Sequence, residues 1–123
     1  MKLLCAAFFL ASLAFAQGPA TPVPTTRVLA IGHITAGVTR EKIMPVMPKE
    51  VRDTVRLYLD GKLDQWFVRK DQNGVVFVLN VATVEEAHAL LEKLPLGQAK
   101  LMEFDLIPLG PLNPLRMLLE EPK

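Results

Sequence analysis

The stretch that decides the fold is LDQWFVRKDQNGVVFVLNV, residues 63–81. Within it, residues 63–70 and 75–81 are rich in branched and aromatic side chains, a composition that favours strands. Between them lies Asn73-Gly74, a dipeptide that is a strong signal for a hairpin turn. The stretch therefore predicts two antiparallel strands that are neighbours in one sheet.

The chain before this hairpin supplies a strand and a helix. Residues 28–34 are apolar and β-prone, which predicts a strand in the middle of a sheet. Residues 48–59 predict a helix, with Pro48 in its first turn. The apolar residues expected on the buried face of this helix are Val51, Val55, Tyr58 and Leu59.

The chain after the hairpin supplies a second helix and a last strand. Thr83 predicts the N-cap of a helix that ends at Pro95, and residues 100–109 predict the strand. The complete order predicts an α+β domain of the ferredoxin-like βαββαβ type, a four-stranded antiparallel sheet with both helices on one face. Because the other face would expose apolar side chains, we expect two copies to pack sheet to sheet as a dimeric α/β barrel around a cavity.

The amino terminus predicts export. Lys2, the apolar run of residues 3–15 and the small-x-small ending Ala14-Phe15-Ala16 follow the order of a secretory signal peptide, residues 1–16. The apolar run is shorter than the roughly 20 residues that span a bilayer. We therefore expect an exported protein, periplasmic or secreted, that has no membrane contact after cleavage.

The remaining sequence divides into three parts. Residues 17–26 are rich in proline and small residues, which predicts a flexible leader. Residues 27–110 contain the predicted ferredoxin-like domain. Residues 111–123 form a C-terminal tail with apolar residues near its end.

Composition argues against several classes of function. The formal net charge is +1, with 14 basic and 13 acidic residues well mixed, so we expect no nucleic-acid partner. The two histidines are far apart and Cys5 lies in the signal peptide, so neither a metal site nor a disulfide is expected. The only serine, Ser12, also lies in the signal peptide, which leaves no serine nucleophile in the domain.

Strand alternation selects the candidate catalytic residues. It places Glu103 and Asp105 of the last strand, and His33 of the first, on the face expected to line the cavity. Because these two strands are antiparallel neighbours in this fold, His33 is expected to approach Glu103. An imidazole and a carboxylate in a shielded pocket transfer protons to and from carbon. The alternatives are a surface-facing Glu103 and Asp105 pair, or a structural His33 whose ring is hydrogen-bonded to a backbone carbonyl.

Three further residues are candidates for substrate binding. Trp66 and Tyr58 are suited to the wall of a ligand pocket, and Arg69 is suited to binding an anion. The alternatives are two core aromatics and a solvated arginine at the end of a hairpin. His88 adjoins the buried stripe of the second helix and is interpreted as structural.

Several of these residues resemble the muconolactone isomerase family. They are Trp66, the segment HALLEKLPL at residues 88–96, and the acidic strand with Glu103 and Asp105 that ends at Pro108-Leu109. The resemblance implies a ferredoxin-like fold and a cofactor-free enzyme that shifts a double bond within a small lactone by proton transfer. It also implies dimeric barrels that assemble further into rings.

Two hypotheses about function follow. The first is an exported muconolactone-isomerase-like protein, an intramolecular isomerase acting without a cofactor on a small lactone or carboxylate-bearing molecule. The alternative is a non-catalytic module for small-ligand binding or oligomeric assembly. An open polar pocket between two sheets would favour the first hypothesis, and a dry, filled sheet interface would favour assembly.

Overall fold

The protein has an open four-stranded antiparallel sheet with helices on one face. The computed structural model describes residues 23–112 and Leu119. The sheet order is β2-β3-β1-β4, and each neighbouring pair is antiparallel. This α+β architecture is compatible with a ferredoxin-like fold. The elements are β1 (Arg27–Ile34), α1 (Arg40–Ile43), α2 (Met47–Leu59), β2 (Leu63–Val68), β3 (Gly74–Leu79), α3 (Val84–Glu92), α4 (Pro95–Gln98) and β4 (Met102–Leu109).

Parts of the predicted organisation lie outside the described residues. These are the signal peptide at 1–16, the leader as far as residue 22, and the C-terminal tail apart from 111, 112 and 119. Within the part of the chain that the structure describes, no helix is long and apolar enough to cross a membrane.

The hairpin of β2 and β3 forms, but its connection is longer than a tight turn. Trp66 lies opposite Phe77 in the register of the two strands. Because β2 ends at Val68, residues 69–73 make the connection, and the Arg69 N–H donates to the Gly74 carbonyl at 3.0 Å. A register shift between Leu63 and Gln65 adds a bulge near the start of β2.

The helix boundaries follow from capping chemistry. The Thr83 hydroxyl accepts a hydrogen bond from the Glu86 N–H at 3.1 Å, which confirms the predicted N-cap of α3. Pro95 follows the end of α3 and is the first residue of the short α4. The first N–H of a helix has no partner within the helix, so proline loses no hydrogen bond at this position. The sequence did not predict α1, whose four residues are too few to show a helical period.

The core lies between the sheet and the helices. Val28 and Ala30 of β1 are fully buried, and Phe77 and Leu79 lie opposite them in β3. From the helices, Leu91 of α3 joins this cluster. Burying such a side chain contributes about 1.5–3 kcal/mol, so this cluster is the main apolar contribution to stability.

The predicted buried face of α2 is wrong. Val51, Val55, Tyr58 and Leu59 are all exposed, and Leu59 is 75% accessible. The buried residue of this helix is Glu50, at 7%. The physical reason is that α2 stands off from the sheet, so that Val51 and Val55 line a cavity instead of packing against the core.

Gly32 provides a test of core packing in the sheet. A methyl group at this position would lie 2.7 Å from Cε1 of Phe104 and 3.1 Å from Cγ2 of Val75. The Phe104 ring is itself stacked on Phe77 at 5.8 Å between centroids, so it has little room to move. We expect Gly32→Ala to lower the free energy of unfolding by about 1–3 kcal/mol, measured by urea denaturation.

The same substitution in a Phe104→Leu background is the control. If the ring is the obstacle, Gly32→Ala should cost clearly less there, because a leucine has no atom at the Cε1 position. An equal loss in both backgrounds would contradict this account of Gly32.

Candidate functional site

The sheet has one face on which no helix packs. The helices contact the opposite face, where Leu57 of α2 and Leu91 of α3 join the core and Leu96 of α4 is buried. We refer to the other side as the uncovered face. Its apolar residues are half-buried or exposed: Leu29, Ile31, Phe67, Val76, Val78, Ile107 and Leu109.

His33 and Glu103 converge at one end of the uncovered face. They lie directly opposite each other in the register of β1 and β4, and the distance from Nε2 of His33 to Oε2 of Glu103 is 3.3 Å. Their side chains are 34% and 62% exposed. A contact this open to water contributes little to stability, so any chemistry by this pair requires that something else shield it.

Arg69 and Asp105 lie near this pair. The Arg69 side chain is only 15% exposed, and it donates to both carboxylate oxygens of Asp71, at 3.0 and 2.6 Å. This bidentate pair lowers the pKa of Asp71 and raises the pKa of Arg69, with a smaller contribution to Arg69 from Asp105. The arginine predicted to bind a substrate anion is therefore already held by Asp71.

Trp66 and Tyr58 lie on the other face of the sheet. Trp66 is opposite the core residue Phe77, and its ring meets Tyr58 of α2 edge-on, with 4.5 Å between ring centroids. Within one chain these two aromatics and the His33–Glu103 pair do not line the same space. The side-chain alternation of β2 explains the separation, since it is Phe67 that lies on the uncovered face.

The helix-covered side contains a cavity of about 640 Å³ between α1, α2 and the sheet. Its volume lies within the range of about 300–1,000 Å³ found for small-molecule pockets. We refer to it as the α2 cavity. Its wall is largely apolar and includes Met44, Met47, Val51, Val55, Trp66 and Phe77.

Glu50 is the buried carboxyl group in the wall of the α2 cavity, and the sequence did not single it out. Its Oε2 accepts a hydrogen bond from the Leu96 N–H at 2.9 Å. Burial raises the pKa of the Glu50 carboxyl, and the bond from Leu96 lowers it by a smaller amount. A second stripe on α2 with helical 3–4 spacing would have indicated that Glu50 is buried. This stripe is made of Met47, Glu50, Thr54 and Leu57.

Comparisons with known proteins add no assignment. No protein-family model and no curated protein matches this chain. Among residues 23–112 and Leu119, no group of three or more histidine, cysteine, aspartate or glutamate side chains is arranged to hold a metal ion. The likeness to the muconolactone isomerase family therefore rests on the sequence alone.

Glu50→Gln should change how stability depends on pH. The pKa of Glu50 in the folded state is raised above the ordinary 4.5, so folding favours the protonated carboxyl. The protonated group therefore contributes fully to folding stability below about pH 4.5. This contribution is lost as pH rises through the folded-state pKa. Glutamine does not ionise, so the stability of the variant does not fall with pH at this position. Its amide oxygen can still accept a hydrogen bond from the Leu96 N–H. We expect its stability relative to wild type to increase from pH 4 toward pH 7, in urea denaturation at each pH.

Asp53→Asn on the same helix is the matched control, with the opposite sign. The hydrogen bond and charge of Lys49 lower the pKa of Asp53, so wild type gains stability as Asp53 ionises and the Asn variant does not. Parallel pH profiles for wild type and Glu50→Gln would contradict a raised pKa at Glu50.

Proposed function

We propose that the protein acts as a homodimer and that its dimer binds a small lactone or carboxylate-bearing molecule on which His33 and Glu103 transfer a proton. In this proposal the uncovered faces of two copies meet as in a dimeric α/β barrel. The observation that carries the proposal is the 3.3 Å approach of His33 Nε2 to Glu103 Oε2 on a mostly apolar face that no helix covers. The resemblance to the muconolactone isomerase family supports the same reaction class.

The composition of the uncovered face supports a second copy as its partner. Its centre is apolar apart from Asp105, which lies opposite Ile31 and close to Arg69, and Phe67 and Ile107 remain 54% and 43% exposed in the single chain. Arg27 pairs with Asp64 at one end of the face, and His33 pairs with Glu103 at the other. The Arg27–Asp64 end carries both signs of charge, and at the other end Arg69 lies close to the Asp105 carboxylate, so neither end presents a surface of one sign to a second copy.

The proposed reaction is a double-bond shift with no net gain or loss of protons. Neutral His33 accepts a proton from the carbon next to the lactone carbonyl, and the electron pair of that C–H bond moves into the conjugated system. The imidazolium then returns the proton to a different carbon, which moves the double bond. Glu103 orients the ring and stabilises the imidazolium, and Asp105 adds negative charge nearby.

The second candidate function is assembly of the dimer without catalysis. Two observations favour it: the Glu103 side chain is 62% exposed, and the nearby Arg69 is held by Asp71 instead of being available to a substrate anion. In that case the His33–Glu103 pair contributes only to the polar end of a dimer interface.

Activity distinguishes the two candidates. We expect the wild-type protein to move the double bond of unsaturated five-membered lactones in D₂O, with deuterium incorporation followed by proton NMR. His33→Ala and Glu103→Ala should each lower kcat/KM by about 100-fold or more, because each removes a proton-transfer group or its partner.

His88→Ala is the matched control. His88 forms the other histidine–glutamate pair of the described chain, with Glu92 at 3.0 Å, and both side chains are well exposed on α3. This variant should keep the wild-type rate. Full activity in His33→Ala would contradict catalysis by this pair, and a wild-type protein inactive on every lactone of the panel would favour assembly.

The oligomeric state tests the dimer separately. Ile31 lies at the centre of the uncovered face, between Val76 of β3 and Asp105 of β4. We expect wild type to sediment as a dimer or a multiple of it, and Ile31→Asp to sediment as a monomer, since a buried unpaired carboxylate opposes the interface. Leu59→Asp, an exposed site on α2, should leave the assembly intact. A monomeric wild-type protein would refute this interface.

A further inference from the structure

The α2 cavity differs from the uncovered face in being a concave space, open to solvent, whose walls belong to one chain. Its roof is α1 and α2, and its floor is the helix-covered side of the sheet, where Val75 and Phe77 lie. Met44, Met47, Val51 and Val55 extend into or along this space without joining the buried core. A space of about 640 Å³ bounded by such residues is large enough for an organic molecule and not only for water.

Glu50 gives the cavity a specific polar group. Glu50 is a buried residue, with an accessibility of 7%, and it contributes to the cavity wall. The Leu96 N–H donates a hydrogen bond to Oε2 of Glu50, and no other residue of the described chain donates to this carboxyl. Oε1, which has no donor among the described residues, is therefore left to accept from a ligand or from water.

We propose that the α2 cavity is a binding site for a small, mostly apolar molecule that carries one hydrogen-bond donor, an N–H or O–H group held by Glu50. Apolar burial against the methionine, valine and tryptophan side chains supplies affinity, and the carboxyl selects for the donor. The exposed Arg40 and Asn73 also line the cavity and are the polar groups that a ligand would pass on entry.

This site is independent of the proposed isomerase. The cavity lies on the helix-covered side of the sheet, and His33 and Glu103 lie on the uncovered side. Binding in the cavity does not require a second copy of the chain. Loss of lactone activity, or of the dimer, would leave this inference unchanged.

Two fluorescent probes test the proposal. N-phenyl-1-naphthylamine is apolar with a single N–H donor, and prodan is similarly apolar but has no donor. We expect wild type to bind both saturably, with enhanced fluorescence. Glu50→Gln should weaken the naphthylamine by about tenfold and prodan by less than about twofold. The reason is that the Gln oxygen keeps the hydrogen bond from Leu96, which leaves the NH₂ group facing the ligand. Two donors then face each other, so the hydrogen bond to the naphthylamine N–H is lost.

A cavity-filling pair of variants locates the site. Val51→Trp places a large ring in the cavity and should weaken both probes by about tenfold or more. Leu59→Trp, a 75% exposed position on the same helix and outside the cavity wall, is the matched control and should bind both probes as wild type does. Equal loss in both variants, or no loss in either, would overturn the assignment.

Methionine methyl NMR on the wild-type protein gives a measurement that does not depend on whether a variant folds. Met44 and Met47 line the cavity, so their methyl resonances should shift as the naphthylamine saturates. Saturable binding without a shift at Met44 and Met47 would place the probe elsewhere. The absence of saturable binding to wild type would refute the proposal outright.

Discussion

The hydrogen bonding of β1 on both of its edges is the interaction on which the rest of the structure depends. This strand pairs with β3 on one side and β4 on the other, and both pairings share one side-chain alternation. Val28 and Ala30 point into the core, while Ile31 and His33 lie on the uncovered face. A slip of one residue in either pairing would exchange these two sets, so burial of the core residues specifies the register of the whole sheet.

Small residues at the centre of the sheet shape the helix-covered side. Gly32 leaves room for the Phe104 ring, which stacks on Phe77. Away from this tightly packed region α2 stands off from the sheet, and the hydrogen bond from Leu96 to Glu50 connects it to α4. The same helix therefore contributes to the core at Leu57 and borders open space at its exposed valines.

The two faces of the sheet offer different chemistry. On the uncovered face, His33 and Glu103 are a solvent-accessible pair, and the proposed proton transfer by this pair would need a second copy to shield it. On the helix-covered face, the chain itself removes Glu50 from water, and the result is a raised pKa in an apolar space. One sheet thus separates a site that assembly would complete from a cavity that each chain forms alone.

The order of the four strands and the two longer helices, the N-cap at Thr83 and the approach of His33 to Glu103 were predictable from sequence, because each depends on local pattern or on the pairing that a βαββαβ order imposes. The burial of Glu50 was not predictable in this way. The sequence of α2 offers two stripes with helical spacing, and the more apolar one is exposed. Which stripe faces the sheet depends on how α2 rests against α4 and on the gap beneath it. That choice is made by contacts between residues far apart in the chain, such as Glu50 and Leu96, and only the tertiary structure decides it.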